Sequence, residues 1–134
     1  ILAGNIMGPV AFSLAVADGS PAAVSIHAWA TCAAFGLHYI GTVPLVRSMI
    51  RGRRDPRWAV ASTLLHAVFT LCAAAAWWFG ALAIWPVLMW ALLTARAWVM
   101  PTISRKRARP ISPKLIGFSE LGWSLLLIVS LLIP

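Results

Sequence analysis

Acidic side chains are almost missing from this 134-residue sequence. Asp18, Asp55 and Glu120 stand in three different places, against eleven Lys and Arg. An enzyme that grips a diphosphate through Mg²⁺ needs clustered carboxylates, and no such cluster exists here. Charge of either sign is scarce as well. Charged residues make up 10% of the chain and hydrophobic ones 61%, whereas a soluble domain carries about 25% charge. That balance excludes an ordinary soluble domain and indicates an integral membrane protein. Cysteine is limited to Cys32 and Cys72, without the spacing of a metal site or a disulfide framework, so both are read as small core residues. No charged stretch precedes the first apolar run, which begins at Ile1. This argues against an intact secretory signal, and the chain is expected to be the C-terminal portion of a longer one.

What the sequence does have is apolar stretches of membrane-crossing length and a one-sided distribution of positive charge. A bilayer core about 30 Å thick needs about 20 mostly apolar helical residues. Stretches of that kind are predicted over about 1–17, 22–49, 58–79, 81–100 and 116–133, giving a single all-α transmembrane bundle of about five helices over 1–134. Turns are marked by Asp18-Gly19-Ser20-Pro21 and Gly80. Pro44 permits a kink in the second helix. Ten of the eleven basic residues fall in two segments, Arg47–Arg57 and Arg105–Lys114, and Arg96 sits just ahead of the second. Helices three and four join these segments through a short, nearly uncharged turn, so both basic loops share one side. The excess of Lys and Arg makes that side cytoplasmic. Pro101, Pro110 and Pro113 predict an extended second basic loop. Trp58 and Trp98 then fall near the cytoplasmic interface and Trp77, Trp78 and Trp85 near the outer one, with Trp29, Trp90 and Trp123 deeper. The net charge of +8 comes with no soluble reading fold or motif, so membrane lipids, not nucleic acid, are the expected partners.

Polar residues at membrane depth are costly and therefore functional candidates. His27 and His38 lie about three turns apart on one helix, too far to share a small ligand. His38 and His66 belong to consecutive antiparallel helices at nearly equal distance from the loop joining them. Such a pair can ligate a haem, receive a quinone headgroup or relay a proton; it can also simply bond to neighbouring helices. Arg96 and Glu120 are positioned to form a salt bridge that relieves the burial of both. No metal site is indicated. The candidates for ligand binding or proton relay are thus His38, His66, Arg96 and Glu120. Arg47, Arg51, Arg53, Arg54 and Arg57 are topology determinants and candidates for contact with lipid headgroups or phosphate.

The run Tyr39-Ile40-Gly41-Thr42, followed by Arg47-Ser48-Met49-Ile50-Arg51 and by His66 on the next helix, resembles the C-terminal half of the YwiC-like family of bacterial membrane proteins. The closing segment with Lys114, Ile116, Gly117 and Glu120 is similar to that family's final pattern. The likeness spans most of residues 38–124. The family's N-terminal His-Gly-Ala-Trp run is not present, which agrees with a missing first half. The resemblance implies a multi-pass protein of a bacterial plasma membrane, and Arg47, Arg51, His66 and Glu120 coincide with its pattern. It implies no reaction. Short loops leave little mass for a soluble catalytic domain, so the expected role is a non-enzymatic membrane component that packs with other subunits or binds a lipophilic ligand. The alternatives are a membrane enzyme acting on a lipid or isoprenoid diphosphate, and a proton-coupled transporter.

Overall fold

A computed structural model describes residues 26–107 and 111–133. They form four antiparallel helices: α1 (Ile26–Met49), α2 (Pro56–Trp78), α3 (Ile84–Lys106) and α4 (Pro113–Leu132). Each is long and apolar enough to cross a membrane, the makeup of a multi-pass membrane protein. The helix predicted over 1–17 and the turn at Asp18-Gly19-Ser20-Pro21 lie outside the described residues.

Local chemistry sets the helix ends. At the start of α2, Pro56 occupies the first turn, where its missing N–H removes nothing, and the Asp55 carboxylate accepts from the Arg57 N–H at 3.0 Å. The Ser112 hydroxyl accepts from the Leu115 N–H at 3.3 Å ahead of Pro113. Consequently α4 begins at Pro113, earlier than Ile116, and this proline starts a helix instead of extending a loop. Between α2 and α3, Gly80 takes φ +73°, a left-handed value that favours glycine. The Ala81 N–H bonds back to the Ala76 carbonyl at 2.7 Å. His27 Nδ1–H donates to the Ala81 carbonyl at 3.2 Å, tying the start of α1 to this turn.

The largest departure from the sequence reading is at Pro101. The fourth predicted span stops at Met100, yet α3 continues through Pro101 to Lys106. A proline inside a helix frees the carbonyl four residues earlier, here that of Ala97. The Thr63 hydroxyl of α2 shares its one proton between this carbonyl, at 3.2 Å, and the Ala59 carbonyl of its own helix, at 2.9 Å. With the freed carbonyl satisfied from a neighbouring helix, the break is not required.

Buried side chains form two apolar clusters. One, toward the α2–α3 turn, joins Phe69, Ala73, Met89, Trp90, Leu93 and Leu127. The other, toward the basic loops, joins Leu45, Met49, Ala97, Ile111 and Ile116. Outside them the helices present large apolar side chains, including Leu64, Leu71, Leu88, Phe118, Leu125 and Leu132. Trp77, Trp78 and Trp85 are exposed at the end away from the basic loops, while Trp90 is 1% exposed and belongs to the core. Cys32 is buried, but Cys72 faces outward and is not the core residue expected.

The first basic loop is held by stacking. The Arg47 guanidinium lies 3.8 Å from the Trp58 ring centroid. A Cβ on Gly52 would stand 2.6 Å from Trp58 Cδ1 and 3.1 Å from the Arg47 carbonyl oxygen. Gly52→Ala must therefore dislodge Trp58, an overpacking cost of about 1–3 kcal/mol. Gly117→Ala on α4 meets nothing within 4 Å and gains helix propensity of up to about 1 kcal/mol. Denaturation in detergent micelles is expected to show the first variant less stable than the parent and the second at least as stable.

Candidate functional site

The polar residues that the sequence singles out come within about one helical turn of one another in depth. His38 is 11 residues before Met49 and His66 is 10 after Pro56, so both lie about 15–17 Å from the end bearing the basic loops at 1.5 Å per residue. Because α3 is longer than expected, Arg96 is 10 residues before its end at Lys106 instead of four before Met100, again about 15 Å. Glu120 is seven residues into α4, about 10 Å. The level lies between the two apolar clusters.

Both histidines are fully buried. The Ser124 hydroxyl donates its one proton to the Glu120 carbonyl at 2.9 Å, so at 3.0 Å it accepts from His38 Nε2–H. His38 Nδ1 is then left with a lone pair. His66 Nδ1–H donates to the Ser62 carbonyl at 2.8 Å, leaving Nε2 as the acceptor. Each imidazole rests against Trp90, with ring centroids 6.4 Å away for His38 and 6.1 Å for His66. A Cβ on Gly41 would stand 3.0 Å from His66 Nε2, so that nitrogen is pressed against α1. The packing leaves no macrocycle-sized gap at His66, and His38 Nε2 is committed to Ser124. The pair therefore lacks the geometry of a haem clamp and shares a tryptophan instead.

Arg96 and Glu120 form a two-pronged ion pair. Arg96 Nη1 donates to Glu120 Oε2 at 3.3 Å, and Nη2 donates to Oε1. Arg96 Nη2 also reaches the Ser119 hydroxyl at 3.5 Å, and the guanidinium lies 5.1 Å from the Trp123 ring centroid. Arg96 is 6% exposed. Ser124 links His38 to the backbone carbonyl of Glu120 and Trp90 touches both imidazoles, so the four candidates form one neighbourhood.

That neighbourhood is not saturated. His38 Nδ1, His66 Nε2, the Ser62 hydroxyl and Arg96 Nε are buried without a hydrogen-bond partner among the described residues. Each such atom costs about 1–3 kcal/mol, and a concentration of them calls for an explanation beyond packing. On the far side of Trp90, toward the α2–α3 turn, runs a groove of about 90 Å³ between α1 and α2. Ala30, Ala33, Ala34, Ala73 and Ala76 line it, and it reaches Phe69 and Trp90. The donor set is two acceptor nitrogens, a hydroxyl and one guanidinium N–H. Among the described residues no three His, Cys, Asp or Glu side chains are grouped to hold a metal ion.

The arginines of the first loop do not act together. Arg47, stacked on Trp58, and Arg51 border an open groove of about 480 Å³ on α1 that also includes Val43, Val46 and Ile50. Arg57 is exposed at the start of α2. Arg53 and Arg54 turn instead toward the end of α3. Asp55 is occupied in capping α2 and Glu120 in pairing with Arg96, so neither supplies a metal-binding carboxylate beside these arginines.

Several contributors escape a reading based on charge. Trp90 is the ring on which both histidines rest, Ser124 fixes His38, and Gly41 makes room for His66. Thr70 and Thr94 join α2 to α3 through a hydroxyl contact of 2.8 Å. The spacing held signals for some of them: Ser124 is four residues after Glu120, Gly41 three after His38, and Thr70 seven after Thr63, each on the same helix face as its partner. Nothing in the spacing singles out Trp90 among eight tryptophans. Comparison with known proteins finds no matching family model, no matching curated protein and no matching solved structure.

Ser124→Ala leaves His38 Nε2–H without its acceptor. Ser130→Ala removes a hydroxyl that bonds only to the Leu127 carbonyl of its own helix. Interhelical side-chain bonds in membrane proteins contribute about 0.6 kcal/mol on average and up to about 1.7. Ser124→Ala is expected to lose at least that much more stability than Ser130→Ala in detergent unfolding, and equal losses would show that the His38 contact carries nothing.

Proposed function

We propose that this chain is a non-enzymatic, multi-pass component of a bacterial plasma membrane whose buried centre receives the polar head of a lipophilic ligand. The observation that carries the reading is the set of unpartnered polar atoms on His38, His66, Ser62 and Arg96, with an alanine-lined groove that reaches Trp90, the ring on which both histidines rest. A ligand with both a donor and an acceptor at its head, such as a quinone or quinol, complements the His38 acceptor nitrogen and a guanidinium N–H. Its apolar body suits the alanine groove. The YwiC-like resemblance of Tyr39–Arg51, His66 and Lys114–Glu120 supports the family and the bacterial membrane. Both basic loops face the cytoplasm in this reading, where Lys and Arg accumulate and where anionic headgroups attract them.

The ligand reading is tested by native mass spectrometry and organic extraction of the protein purified from a bacterial membrane. A small lipophilic molecule is expected to accompany the parent protein and to be lost from His66→Ala and from Ser62→Val. Parent protein free of any such molecule, or equal retention in the variants, would refute it. Orientation is tested in intact cells with an impermeant maleimide, using single cysteines introduced as Phe79→Cys and Asp55→Cys into a Cys32→Ala, Cys72→Ala background. Phe79→Cys is expected to react from outside and Asp55→Cys only after permeabilisation; the reverse pattern would invert the topology.

A further inference from the structure

The basic loops converge on a second site, distinct from the buried centre. Arg53 and Arg54 from the α1–α2 loop meet Arg105 and Arg107 from the end of α3 around a concavity of about 400 Å³. The concavity is built, not accidental. Arg53 Nε donates to the Ser104 carbonyl at 2.7 Å, and its Nη2 donates to the Arg107 carbonyl. The Ser104 hydroxyl, fully buried, reaches back to the Met49 carbonyl at 3.4 Å. These bonds pin the first loop to the last turn of α3, which brings the four arginines around one concavity despite their repulsion. Among the described residues the only salt bridge is the one between Arg96 and Glu120; no carboxylate neutralises this cluster.

A second feature says what kind of anion fits. Arg107 also lines an adjoining apolar crevice of about 190 Å³, formed with Met49, Met100, Ile103, Ile111, Leu115 and Ile116 between α3 and α4. An arginine-lined concavity and an apolar slot thus share one arginine. Guanidinium forks match phosphate oxygens in pairs, and the crevice suits a hydrocarbon chain.

We propose that Arg53, Arg54, Arg105 and Arg107 form a binding site for the phosphate of an anionic phospholipid, with one acyl chain lodged in the crevice beside Ile103 and Leu115. The site rests on the bundle being membrane-embedded, but not on its orientation or on a ligand at Trp90. Arg53 serves chiefly to position the loops, since two of its nitrogens are already bonded to the end of α3. Arg54, Arg105 and Arg107 are left to face the phosphate. A free phosphate compound could use the same forks, but it would gain nothing from the crevice.

The test is a titration of detergent-purified protein with dioleoyl phosphatidylglycerol, dioleoyl phosphatidylcholine or inorganic pyrophosphate, read by native mass spectrometry. Phosphatidylglycerol is expected to bind with one preferred stoichiometry and at least tenfold more tightly than phosphatidylcholine. R54Q/R105Q is expected to lose at least tenfold in that affinity, while the charge-matched K106Q/K114Q loses less than threefold. Ile103→Trp, which fills the crevice and leaves every arginine in place, is expected to weaken phosphatidylglycerol but not pyrophosphate. Equal losses in the two double variants would reduce the site to bulk electrostatics and overturn the proposal. Pyrophosphate binding that persists while phosphatidylglycerol is no better than phosphatidylcholine would overturn the lipid assignment. Retention of an extractable ligand at the buried centre in R54Q/R105Q is expected throughout, which separates failure of this site from failure of the central one.

Discussion

Arg96 carries a positive charge into the middle of a helix whose surroundings are apolar, and Glu120 is the residue that makes this tolerable. A charged side chain at the centre of a membrane helix costs about 2.5–3.5 kcal/mol on insertion scales, and separating a buried pair leaves each charge uncompensated. The two-pronged contact therefore fixes how α4 lies against α3. This matters because α4 is otherwise lightly held: Ile116, Ser124, Leu127 and Ser130 are its buried residues. With Glu120 in place, Ser124 one turn later meets His38 on α1, and Trp123 stacks on Arg96. One ion pair thereby orders three helices at a single depth.

The rest of the bundle solves a related problem, that of backbone and side-chain polar atoms deprived of water. Hydroxyls do most of this. Thr63 caps the carbonyl that Pro101 frees, Thr70 meets Thr94, and Ser104 closes onto the end of α1. Against this background of satisfied groups, the unpaired atoms of His38, His66, Ser62 and Arg96 stand out. Their concentration around Trp90, which also borders a groove of small side chains, is why a ligand is proposed there. The four-arginine concavity is the corresponding feature at the end of the bundle, unpaired charge where the helices emerge.

Much of the architecture was legible because it follows from hydropathy and from charge placement. The four described helices overlap four predicted spans, and the one-sided basic residues brought His38 level with His66. The error lay in treating prolines as boundaries. Pro101 on its own sequence marks the start of a loop, whereas Thr63 on another helix supplies the missing contact; Pro113 on its own sequence favours an extended chain, whereas Ser112 makes it a helix start. Neither compensation can be read from the proline's own neighbours. The added turns of α3 moved Arg96 deeper than expected, and placed Arg105 and Arg107 beside Arg53 and Arg54. The polar identities of the central site were visible in the sequence, but Trp90 as its shared surface was not, since burial of one tryptophan among eight depends on the packing of all four helices.

The dependence of the fold on its central ion pair is tested most directly by reversing the charges. Stability in detergent should be measured for Arg96→Glu, Glu120→Arg and the doubly reversed protein. Each single reversal places two like charges together in a buried site and is expected to cost at least the roughly 3–5 kcal/mol of a broken buried pair, with α4 losing its place. The double reversal is expected to recover most of that loss, because the pair is restored with its prongs exchanged. Single reversals that leave stability unchanged, or a double reversal no better than the worse single one, would contradict the view that Arg96 and Glu120 hold the bundle in register.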